Sequence, residues 1–154
     1  MIRIIFLLCI VWLFGCNGRD RSIEKNEFSL NELYNADVKR LKDSVFFKGD
    51  TLAYDALSVY YIDYSIPSEF MFYSLVMANK YKYPQSFYDV FLNICRMYNN
   101  DTEQMDDASA KMAITYLLQA SELGHHQARE EVMSSNIKEE EDSKDVLKRI
   151  LEKN

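Results

Sequence analysis

Apolar residues return every three or four positions from Leu30 to Leu151, in stretches divided by short polar breaks. A helix turns once in about 3.6 residues, so this spacing gathers them on one helical face, whereas a strand would need strict alternation. Leu30, Leu33, Tyr34, Val38, Leu41 and Val45 share such a face. Ser29 with Glu32 makes a capping box at its start, and Gly49-Asp50 closes it and offers an N-cap to the next helix. The chain has only 4 glycines and 2 prolines in 154 residues, too few for the turns of an all-β or turn-rich α/β domain. The expected fold is all-α, one domain with short tails.

The same reading predicts helices over about 51–64, 67–82, 85–98, 106–123 and 127–134. Pro67 suits a first helical turn, 99–102 is a polar break, and Gly124 is a stop. For the helix at 51–64 the expected core stripe is Ala53, Ala56, Leu57, Tyr60 and Tyr64, and for the next Phe70, Tyr73, Leu75, Met77 and Ala78. Near the end, Val146, Leu147, Ile150 and Leu151 form an i, i+1, i+4, i+5 stripe behind the acidic run Glu139–Asp142. That is what a terminal capping helix needs: one apolar face for its neighbour and one charged face for water.

The chain also resembles itself. Leu75-x-x-Ala78 recurs as Leu117-x-x-Ala120, and Tyr54-Asp55 recurs, at a shorter offset, as Tyr88-Asp89. A unit of about 34 residues with one stretched connection around 99–107 reconciles the two offsets. The segment Ala113-x-x-Tyr116-x-x-x-Ala120-x-x-x-Gly124-x-x-x-Ala128 resembles the Sel-one-like branch of tetratricopeptide-related repeats. The likeness is partial at 71–86, where Lys82 stands for the glycine and Ser86 for the alanine, and weak before residue 50. It implies a short α-solenoid of antiparallel helix pairs, completed by the C-terminal capping helix. An irregular helical bundle with incidental alanines is the other reading of the same residues.

The first residues carry a separate message. Arg3 precedes eleven uninterrupted apolar residues, Ile4 to Phe14, about half the length that crosses a hydrocarbon core. This is a signal-peptide pattern. Leu13-Phe14-Gly15-Cys16 resembles the lipobox of bacterial lipoproteins, with a departure at Phe14, where the family carries a smaller or β-branched residue. The resemblance implies cleavage after Gly15 and lipidation of Cys16; an ordinary secretory signal with an incidental cysteine is the alternative. The expected organisation is a signal peptide at 1–15, a lipidated Cys16 with a flexible polar tether to 28, and a helical repeat domain over 29–154. Asn17 is not the aspartate of an inner-membrane retention signal, so the expected location is the cell envelope, by default the outer membrane.

Charge and chemistry narrow the function. Net charge is −6, and an acidic body repels phosphate backbones and anionic lipid, so no nucleic-acid partner is expected and membrane association must come from a lipid or an apolar segment. Cys95 is the only cysteine of the predicted domain, without a mate for a disulfide, and is expected as a small buried hydrophobe. His125 and His126 follow Gly124 and are expected on the surface of a turn. No metal-ligand spacing, phosphate loop or nucleophile–base order is visible, so neither an enzyme, a metal nor a small-molecule cofactor is expected.

Between Tyr54 and Tyr98 lie nine tyrosines and four phenylalanines. Tyr54, Ser58 and Tyr61 form a second stripe on the helix at 51–64, and Tyr88-Asp89 hold the equivalent place one unit later. In the repeats that the chain resembles, leading helices line the concave surface. Tyr54, Asp55, Ser58, Tyr61, Tyr88 and Asp89 are therefore the candidate contacts for a partner, another envelope protein or peptide. The alternative is that these rings pack into grooves between helices. Two functions suit the whole: a lipid-anchored, non-catalytic protein-binding module, or an immunity lipoprotein that neutralises a basic toxin delivered into the envelope.

Overall fold

The structure is a computed structural model that describes residues 37–63, 67–137 and 141–152. The lipobox with Cys16, the tether, the Ser29–Glu32 capping box and Tyr64 lie outside the described residues. The chain divides into two units, Met1–Lys39 and Arg40–Asn154, and the second holds the elements named here.

Every described element is helical. Residues 40–43 lead into a π turn, Ser44–Lys48, followed by α1 (Thr51–Asp63), α2 (Pro67–Tyr81), α3 (Pro84–Met97), α4 (Asp107–Glu122), α5 (His126–Ser135) and α6 (Ser143–Leu151). The bounds of α1 to α5 closely match the periodicity reading.

The punctuation is local chemistry. Gly49 caps the π turn in the left-handed region at φ 66°, with the Tyr81 ring packed where a β-carbon would stand. Asp50 then caps α1, its Oδ1 accepting from the Ala53 amide at 3.1 Å. Gly124, at φ 96°, ends α4 in a Schellman motif, with His125 N–H on Ala120 O at 2.9 Å and Gly124 N–H on Ser121 O at 3.1 Å. Asn99 ends α3 the same way: Asn100 N–H bonds Cys95 O at 2.9 Å and Asn99 N–H bonds Arg96 O at 3.0 Å. Lys82 takes φ 57° at the end of α2, the same left-handed step that Gly124 takes where α4 stops. The insertion after α3 is clasped by Asp106, which accepts from Tyr98 and from the amide and hydroxyl of Ser109 and is pulled down to about 2 by those bonds. Inside the clasp Met105 is buried.

Each helix from α1 to α5 packs on the next, most extensively α3 on α4, and α6 folds back onto α4. The alanines of the 113–128 motif sit at these contacts, with Ala113, Ala120 and Ala128 fully buried. Tyr116 packs on Phe87 and shares hydrogen bonds with the Asn79 side chain, tying α4 to both α2 and α3. The predicted terminal helix forms as α6, with Val146, Leu147 and Ile150 buried and Arg149 forking onto Glu141.

The inward face of α1 differs from the expected stripe. Ala56 is exposed and Tyr60 half-buried, while Ala53, Tyr54, Leu57 and Tyr61 form the core face. Apolar side chains surround α1 almost evenly, so no stripe of its own dominates. Its partner α2 decides: Phe70 lies 5.3 Å from the Tyr54 ring and 5.8 Å from the Tyr61 ring, and Tyr73 stacks on Tyr61 at 6.1 Å.

Candidate functional site

The six candidate partner contacts separate into two groups. Tyr54, Tyr61 and Tyr88 are 0%, 2% and 3% exposed, so their rings are interior and offer no contact area to a partner. Aromatic rings on facing helices hide more apolar surface against each other than against water, which draws them into the grooves. Asp55 is exposed, Ser58 and Asp89 are half-buried, and all three line one cleft of about 420 Å³ between α1 and α3. Tyr61 belongs instead to a corner with Lys42, which pairs with Glu69 at 2.7 Å and lies 5.6 Å over the ring. Tyr88 faces the other way, donating to Glu131 Oε1 at 2.6 Å.

Tyr54 supports the cleft from behind. Its hydroxyl donates to Asp89 Oδ2 at 2.7 Å and lies 2.9 Å from Ser74 Oγ, which anchors to Phe70 O at 3.0 Å. Asp89 Oδ1 accepts from Gln85 Nε2 at 3.0 Å. Burial raises the Asp89 carboxyl above its ordinary range, Tyr54 and Gln85 pull it back, and the Asp55 charge raises it further. Asp55 accepts the Tyr83 hydroxyl at 3.2 Å and 3.4 Å on its two oxygens, and the Tyr83 ring meets the Tyr54 ring edge-on. Two carboxylates from facing helices are thus held toward the same space, each oriented by a tyrosine.

A hydrogen-bond chain runs from the cleft wall to the start of α5. Gln85 Oε1 is 2.9 Å from His125 Nε2, and His125 Nδ1 accepts the Ala128 amide at 3.2 Å as the N-cap of α5. Nδ1 is therefore unprotonated and Nε2 carries the proton that Gln85 accepts. His126 is exposed as expected, whereas His125 is half-buried. The cap turns the His125 ring inward, where it stacks on Tyr88.

Sequence reasoning missed Gln85, Asn93 and Arg96. With Asp89 they follow the spacing i, i+4, i+8, i+11, a polar stripe along α3 that was present in the sequence beside its apolar one. Asn93 is the unusual member. It is 3% exposed, lines the cleft, and neither its Nδ2 nor its Oδ1 has a hydrogen-bond partner among the described residues. A buried amide without partners is destabilising by about 1–3 kcal/mol. Val59, Phe70 and Leu92 complete the walls.

Cys95 is 1% exposed, and burial pushes its thiol up to about 12, so it packs as the small hydrophobe expected. Among the described residues, no three His, Cys, Asp or Glu side chains are grouped to hold a metal ion, and no helix is long and apolar enough to cross a membrane. Comparison with protein-family models, with curated proteins and with solved structures finds no match to this chain.

Proposed function

We propose that the chain is a lipid-anchored cell-envelope protein whose helical repeats form a short α-solenoid acting as a non-catalytic protein-binding module. The observation that carries the binding role is the cleft between α1 and α3, where the buried Asn93 amide has no partner of its own and two carboxylates stand beside it. A buried polar group in that condition calls for an explanation, and a ligand entering the cleft supplies one. The solenoid reading draws support from the sequential packing of α1 to α5 and from the shared left-handed caps at Lys82 and Gly124. The anchor rests on Leu13-Phe14-Gly15-Cys16.

Two experiments test this. Cys16→Ser is expected to abolish palmitate labelling and release the protein from membranes; a labelled, membrane-bound variant excludes the anchor. Full-length protein is expected to capture an envelope partner that Asn93→Leu does not; equal capture by both removes the cleft from partner binding. The acidic cleft and net charge of −6 also favour the immunity reading, in which the partner is a basic toxin. Co-expression of such a toxin in the envelope, with and without this protein, decides between the two.

A further inference from the structure

We propose that the cleft between α1 and α3 recognises a lysine residue within a peptide, its ammonium held between Asp55 and Asp89 and its backbone amide on Asn93. This rests on the binding-module reading and names the ligand chemistry for the same site.

Charge comes first. The ionisable groups lining the cleft include Asp55, Asp89 and Arg96, and the two carboxylates accept from Tyr83 and Tyr54, whose rings meet edge-on. Two carboxylates and one guanidinium leave one negative charge. A single monovalent cation balances it, whereas a second cationic group would meet Arg96 and an anion would meet both carboxylates. The remaining titratable group, the Tyr83 phenol, is held neutral by burial and by the Asp55 charge beside it.

The geometry of the acceptors selects ammonium over guanidinium. An arginine fork needs both oxygens of one carboxylate from the same side. On Asp55 that position is held by the Tyr83 hydroxyl, which spans Oδ1 and Oδ2 at 3.2 Å and 3.4 Å. On Asp89 each oxygen already accepts one bond, from Gln85 and from Tyr54. A carboxylate has about four lone-pair sites, so each Asp89 oxygen keeps one, and a donor group that reaches one oxygen on each aspartate uses both side chains where a fork would use one. An ammonium has three donors and bridges two carboxylates on different helices.

Asn93 supplies the second half. Its Nδ2 donates and its Oδ1 accepts, which is the complement of a peptide carbonyl and N–H. Neither atom has a partner among the described residues, although the residue is almost wholly removed from solvent. Asn93 stands one helical turn beyond Asp89 on α3, a rise of about 6 Å. The four-carbon stem of lysine spans such a gap, and Phe70 and Leu92 offer it apolar walls.

The test is titration of the full-length protein, in detergent, with three probes: acetyl-Ala-Lys-Ala-amide, the same peptide acetylated on the lysine Nζ, and n-butylamine. Saturable binding is expected for the first, with both other probes weaker by about tenfold or more, since each lacks one charged or bidentate set of hydrogen bonds. Asn93→Leu is expected to bring the peptide down to the affinity of butylamine, and Asp55→Asn to weaken peptide and butylamine alike. Asp55 is exposed, so that variant keeps the inference testable should Asn93→Leu fold poorly. Equal binding of the lysyl and acetyl-lysyl peptides, equal binding of butylamine and peptide, or unchanged affinity in Asp55→Asn overturns the inference. Partner capture lost in Asn93→Leu despite any of those results would leave the binding module standing with a different ligand.

Discussion

The His125 ring lies flat against the ring of Tyr88, centroids 4.5 Å apart and planes 22° apart, and from that position it joins the cap of α5 to the cleft on α3. The bond from the Ala128 amide needs the neutral ring, because Nδ1 accepts only while it is unprotonated; the bond from Nε2 to Gln85 does not. Burial lowers the His125 pKa, and the neighbouring His126 lowers it further. A histidine with a depressed folded pKa binds its proton less readily folded than unfolded, so its contribution to stability is complete above the unfolded value near 6.5 and is lost as pH falls through the lower folded value. Thermal midpoints measured from pH 7.5 to pH 5 are expected to fall, and His125→Asn, which retains a capping side chain without a titration in that window, is expected to flatten the fall. An unchanged slope in the variant would assign the pH dependence elsewhere.

Tyr54→Phe removes one hydroxyl from a fully buried ring and leaves its stacking on Phe70 in place. The lost bond is charge-assisted, so the variant is expected to be less stable by about 2 kcal/mol at pH 7 in urea unfolding. The Tyr54 bond is one of those that hold the Asp89 pKa down. Without it the folded carboxyl, already raised by burial, titrates higher still, and its ionisation costs the fold more. The gap between the variant and the parent is therefore expected to narrow as pH falls and Asp89 becomes protonated. A gap that stays constant to pH 4 would show that the hydroxyl serves Ser74 rather than the carboxylate.

Two backbone positions with the same handedness should respond in opposite directions. At Gly49, φ 66°, a β-carbon meets the Tyr81 ring, so Gly49→Ala adds steric conflict to a left-handed alanine and is expected to destabilise by about 2 kcal/mol or more. Lys82 holds φ 57° with a side chain that is exposed, and Lys82→Gly is expected to stabilise by roughly 0.5–1 kcal/mol. Chemical denaturation of both variants checks the pair, and a destabilised Lys82→Gly would mean that the lysine side chain matters more than its backbone strain.

Cys95 is the remaining prediction. In a variant carrying Cys9→Ser and Cys16→Ser it is the only thiol of the chain. Burial and a pKa near 12 keep it from reacting, so labelling by a disulfide reagent at pH 8 is expected to be slow in the folded protein and to quicken as urea approaches the unfolding midpoint. Rapid labelling without denaturant would show that α3 opens locally.

The helix bounds were legible because their signals are local. Asp50, Asp106 and Gly124 act on the residues beside them, and the α6 stripe needs only one apolar neighbour to be read. The cleft was half legible: Asp55, Ser58 and Asp89 were singled out with three tyrosines that turn out to be interior. Asn93 lies between Leu92 and Ile94 and reads as a polar gap in a core helix, since a sequence does not show whether a buried amide finds a partner.

Helix periodicity, caps and stops, and the burial of the alanines from Ala113 to Ala128 and of Cys95, follow from the order of residues alone, because each depends on spacing within about one or two helical turns. The inward face of α1, the fate of Tyr54, Tyr61 and Tyr88, and the meeting of Asp55 with Asp89 and Asn93 were decided by tertiary structure. On a helix with apolar residues on several faces, more than one face could be buried, and the rings of α2 select one. A cleft between α1 and α3, which the whole of α2 separates along the chain, exists only once those helices pack.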